Sequence, residues 1–183
     1  MAGTPFFCCS DHRRFALQQQ PELNGIDDLE VADLGPADLD AVDAAAYAGL
    51  PANQRDRLLW QRKLTVFFVN PLLPAHLAVL KPANLRIEGG ERADSRNIGV
   101  AVLATTPQGI VLRATQRGDF STYRLRIVTS SANLDPPAVI DPLLAAVDFS
   151  FKVECPSEFD CGLPRPCSLS DRQIGRASCR ERV

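Results

Sequence analysis

Histidine is nearly missing from this chain. His12 and His76 are the two in 183 residues, and neither lies in a recognisable catalytic motif. Each reads as a solvent-exposed loop residue, so a histidine-based nucleophile pair has little to be built from. No Gly-x-Ser-x-Gly elbow, P-loop or dinucleotide fingerprint occurs. Positive charge is also short: 20 Lys and Arg face 22 Asp and Glu, for a formal net charge of −2. That balance gives no support for nucleic-acid binding, and no basic stripe with interleaved aromatics appears. No apolar run approaches the roughly 18 residues that a membrane-spanning helix needs. The opening MAGTPFFCCSDHRR lacks the basic-then-apolar order of a secretory signal. The expectation is therefore a cytoplasmic chain with reduced thiols.

What the chain does have is two-residue alternation. Residues 146–167 read AVDFSFKVECPSEFDCGLPRPC. Phe149, Phe151 and Val153 alternate with Ser150, Lys152 and Glu154, as in a strand with one buried face. Pro156, Gly162, Pro164 and Pro166 then take the backbone out of any sheet. Upstream, Ile26, Leu29 and Val31 mark a first strand. Leu64–Val69 is an apolar second, and Leu85 and Ile87 alternate with Arg86 and Glu88. Gly89-Gly90 suits a turn that needs positive φ. Ile98, Val100 and Val102 lead to Thr106-Pro107, and 110–115 returns as the second arm of a hairpin. Tyr123, Leu125 and Ile127 alternate with Arg124 and Arg126. The 123–128 strand is expected to be central. Phe149, Phe151, Leu125 and Ile127 are expected to govern stability, since each buried side chain contributes about 1.5–3 kcal/mol.

Seven strand candidates with no helix alternating between them predict an all-β fold, an immunoglobulin-like antiparallel β-sandwich. It carries a helical insert over 36–60 and extended terminal segments. Pro36 and Gly49 flank a helical pattern of Leu39, Val42, Ala46 and Leu50, and a second helix fits 52–60. Residues 1–24 read as an extended arm packed on the domain. The sandwich with its insert takes 25–155 and is expected to fold alone. Residues 156–172 read as a Pro- and Cys-rich linker to a further domain.

The run from Ile174 to Val183 resembles an in-frame translation of a short-read sequencing adapter, so 173–183 is set aside from the fold. On that reading the protein continues past Arg172 and Cys179 is not one of its cysteines. The tail's three arginines and one glutamate contribute +2, so without them the net charge goes from −2 to −4.

Cysteine poses the main chemical question. Cys155, Cys161 and Cys167 recur every six residues, a wider spacing than common zinc ligand pairs. If the arm folds back beside the exit of the last strand, Cys8 and Cys9 complete a thiolate site with them, a structural Zn²⁺ site that ties arm to linker. Free thiols and disulfides are the alternatives. Asp27, Asp28, Asp38, Asp40 and Asp43 lack EF-hand spacing and read as a solvated, acidic helix face and strand rather than a cation site.

Four stretches carry a family resemblance: LNGIDDLEV (23–31), RIEGGER (86–92), GDFSTYRLRIV (118–128) and DPLLAAVDFSFKVECPSEFDC (141–161). Here the chain resembles the amino-terminal region of the large baseplate assembly protein of phage-tail-like contractile injection systems. The family pattern has an aromatic residue where Asp28 stands and a shorter segment in place of the Ala-rich insert. The resemblance implies a structural, non-enzymatic baseplate component with no catalytic residues to carry over. Its partners would be other baseplate subunits and the tube, sheath and spike proteins. It would be cytoplasmic during assembly and then part of the particle. The sandwich would act as a docking module, with the helix over 37–48 as a candidate contact surface. The alternatives are a stand-alone carbohydrate- or peptide-binding β-sandwich and an accessory domain of an enzyme.

Overall fold

The computed structural model describes residues 4–7, 11–91 and 98–151. Contacts divide the chain into units Met1–Val153 and Glu154–Val183, and the described residues belong to the first. They form two antiparallel sheets around one apolar core. The larger sheet contains β1 (Thr4–Phe7), β2 (Ile26–Ala32), β3 (Lys63–Phe68), β5 (Val100–Thr106) and β6 (Gly109–Ala114). Its strand order is β1-β2-β3-β6-β5. The smaller holds β4 (Leu85–Gly89), β7 (Tyr123–Ile127) and β8 (Ala146–Phe149), in the order β4-β7-β8. The strand over 123–127 is central, as its alternation suggested. Thr4–Phe7 adds an edge strand that four residues of sequence do not announce.

Alternation explains the layers. Leu64, Val66 and Phe68 of β3 are buried, as are Tyr123, Leu125 and Ile127 of β7. Both sets join the same cluster with Ile26, Leu29, Ile110, Leu112 and Phe149. Tyr123, Phe149 and Phe151 make an aromatic knot, with Phe151 at 5.0 Å from each of the other two ring centres. Gly109 is required where β6 meets β3, because a Cβ there would lie 2.5 Å from the Val66 carbonyl oxygen. Gly89 and Gly90 have φ of 95° and 85°, the turn their side-chain-free backbone makes easy.

The helices are short: α1 (Asp11–Gln18), α2 (Ala41–Gly49), α3 (Ala52–Leu59) and α4 (Pro74–Val79). The insert falls where expected, although α2 starts at Ala41 behind Asp40 rather than at Pro36, which opens a single 3-10 turn over Pro36–Asp38. Two expectations are corrected. The arm over 1–24 is not extended throughout, because α1 occupies its middle and buries Leu17. The segment holding His76 is not a loop, because Pro74 opens α4 at a position where a missing N–H costs nothing.

Candidate functional site

Two polar assemblies organise the described residues. The first is buried. Asn24, at the entry to β2, accepts from the backbone N–H groups of Gly25 and Asn70 through Oδ1, at 2.9 and 3.0 Å. Its Nδ2 donates to the Asn70 carbonyl at 2.8 Å. Asn70 in turn sends Nδ2 toward the carbonyls of Leu17, Gln20 and Leu23, which closes the C-terminal end of α1 and the turn after it. His76 sits beside them, fully buried on α4. Its Nδ1 accepts from Leu73 N–H at 3.1 Å, which leaves Nε2 as the donor to the Glu22 carbonyl at 2.9 Å. His76 is therefore no exposed loop residue; it fastens the arm. His12 is exposed, as expected, but it lies on α1 rather than in a loop. The backbone of Asn24 also pairs with the 139–141 segment, and Arg13 forms an ion pair with the fully buried Asp141 carboxylate.

The second assembly lies under the helical insert. Lys63 of β3 and Arg113 of β6 are register partners, directly across from one another. Like charges so placed repel. Each meets a carboxylate of the insert: Lys63 Nζ lies 3.0 Å from Asp38 and Arg113 Nη2 2.5 Å from Asp40. Arg62, next in line, donates to Asp43 at 2.6 Å and to the carbonyls of Leu58, Ala114 and Thr115. The Arg62 and Arg113 side chains are 4% and 8% exposed. Burial of that degree makes a counter-charge necessary.

The aspartates have second duties. Asp40 caps α2 by accepting the Asp43 N–H at 2.8 Å. Asp38 accepts from Gly35 N–H at 2.9 Å. The Gly35 N–H, and then Lys63, hold the Asp38 carboxyl below its ordinary range. The Asp43 N–H, and then Arg113, do the same for Asp40. The acidic face keeps contact with solvent, as expected, but its carboxylates are also the insert's anchors. No cue along the chain marks them, because their partners lie up to 73 positions away and converge through sheet register.

Asp27 pairs with Arg14 at 2.5 Å. Among the described residues Asp28 has no such partner, and one of its carboxylate oxygens is buried without a hydrogen bond. Burial, then Asp27 and Glu30, push its pKa up. Cys8, Cys9, Cys155, Cys161 and Cys167 all lie outside the described residues, as does the linker over 156–172. Among the described residues no three His, Cys, Asp or Glu side chains are grouped as for a metal ion. No helix among them is long and apolar enough to cross a membrane.

Fold and site together define an all-β, two-sheet domain whose buried charges and amides bind its own arm and insert to the sheets. The chain belongs to the family of the phage baseplate assembly protein, N-terminal domain, whose family model matches residues 1–149. No curated protein and no solved structure matches the chain.

Proposed function

We propose that this domain is a non-enzymatic docking module in the baseplate of a phage-tail-like contractile injection system. The observation that carries the proposal is the baseplate family match across nearly all of the described residues. The fold supports it in kind. Two open sheets leave the outer strands β1 and β5 in one and β4 and β8 in the other. Along its seven residues β5, VAVLATT, carries no charge, and a register shift between Val102 and Ala104 bends it. Uncharged edges are where another chain adds a strand, and bulges limit how far such pairing runs. The finer fold reading, an immunoglobulin-like sandwich, is supported by two antiparallel sheets sharing one core. The partners are other baseplate subunits and the tube, sheath and spike proteins, met during assembly in the cytoplasm.

The test is to remove residues 4–149 from the chain in cells that assemble the particle and to image the products. Tubes and sheaths without completed plates are expected. Intact, contractile particles would overturn the reading. Specific retention of the isolated chain on a glycan array would favour the free binding module instead.

A further inference from the structure

We propose that Arg62, Lys63 and Arg113 form a carboxylate-accepting strip for an acidic segment of a neighbouring protein, with the helical insert as its built-in placeholder. The strip is an array of three cations at one end of β3 and β6, and all three already hold carboxylates. Within the placeholder, α2 has no buried residue, and its Val42 is 79% exposed. The insert itself helps to cover Arg62 and Arg113, so its displacement frees their charge for another carboxylate.

Arg113 shows why exchange is favourable. It uses only Nη2 on Asp40, while its Nε is buried with no hydrogen-bond partner. Asp40 is committed through its other oxygen to capping α2. An incoming carboxylate free of that duty can take Nε and Nη2 together, the stronger bidentate arrangement. The occupant is therefore an acidic peptide segment. That it belongs to a baseplate subunit rests on the docking reading; the exchange itself does not, and the test uses the isolated chain.

The experiment measures binding of a short poly-L-glutamate peptide to the full chain at low salt, with hydrogen exchange followed in the same samples. The peptide is expected to raise exchange at the amides of α2 while β3 and β6 stay protected. Asp40→Asn is expected to tighten binding about tenfold, since it removes the internal competitor for the Arg113 charge. Arg113→Lys keeps the charge but not the fork, and is expected to weaken binding about tenfold. Equal binding by wild type, Asp40→Asn and Arg113→Lys would overturn the proposal. So would binding that leaves α2 exchange unchanged. An absence of binding even for Asp40→Asn, shown folded by its protected β3 and β6 amides, would also overturn it. None of these results depends on whether particles assemble.

Discussion

The Asn24 side chain is paired with the Asn70 backbone as one strand is with another, donating to its carbonyl and accepting from its N–H. The Asn70 side chain then holds three carbonyls of the arm. Neither contact leaves room for substitution, because each lost amide strands several buried groups. Asn70→Ala is expected to lower unfolding free energy by about 2–4 kcal/mol, given roughly 1–3 kcal/mol per buried group left unsatisfied. Equilibrium denaturation in urea measures it; a loss under about 0.5 kcal/mol, the scale of an ordinary surface change, would remove the clasp from the account.

The same contacts bear on where the domain begins. A fragment starting at residue 25 lacks Leu17, Asn24 and the Glu22 carbonyl that receives His76. It is expected to melt well below the full chain, contrary to the expectation that 25–155 suffices. Calorimetry on both decides it, and equal melting temperatures would restore the shorter boundary.

The aromatic knot gives a graded series. Phe151→Ala is expected to cost about 3–5 kcal/mol, the range for emptying a buried aromatic site. Tyr123→Phe is expected to cost about 1 kcal/mol, because the hydroxyl both donates to the Asp119 carboxylate and accepts from the Asp119 N–H. The reverse order in denaturation midpoints would show that the hydroxyl, not the packing, dominates.

Most strands were legible in the sequence because a half-buried strand must alternate, and Tyr123-Arg-Leu-Arg-Ile does so plainly; β1 was not, and β8 ends at Phe149, where the alternation of Phe149, Phe151 and Val153 begins. The insert was legible as helix from its Pro, Ala and Gly. The polar assemblies were not. Asn70-Pro71 reads as an ordinary turn, and only its distant neighbours reveal a buried amide. His76 lies among prolines that suggest a loop, yet they open a helix. The pairing of Asp40 with Arg113 needs the β3–β6 register, which no local pattern encodes.

Asp28 stands opposite Phe67 in register. Its folded pKa is raised, first by burial and then by Asp27 and Glu30. A raised carboxyl pKa means the ionised form is disfavoured by folding. The penalty is therefore present at neutral pH, declines as pH falls through the folded pKa, and is gone below the unfolded one. Asp28→Phe is expected to stabilise at pH 7 by up to about 1 kcal/mol, by cross-strand aromatic pairing and loss of a partly solvated charge. The gain should shrink in acid. A gain independent of pH would assign it to packing alone.

Asp38 and Asp40 behave oppositely. Their folded pKa values are lowered, so their contribution is complete above the unfolded value of 3.8 and is lost as pH falls through the folded values. Exchange at α2 is expected to accelerate below pH 3.8 before the β3 and β6 amides open. Simultaneous opening of all three would mean that insert and sheets unfold as one.

The most direct measurement is a cryo-electron-microscopy map of the assembled particle that carries this chain. The account predicts the two-sheet domain within the plate, its outer strands or insert buried against neighbouring subunits. A particle whose plate lacks the domain, or in which the domain projects without touching a neighbour, would contradict it.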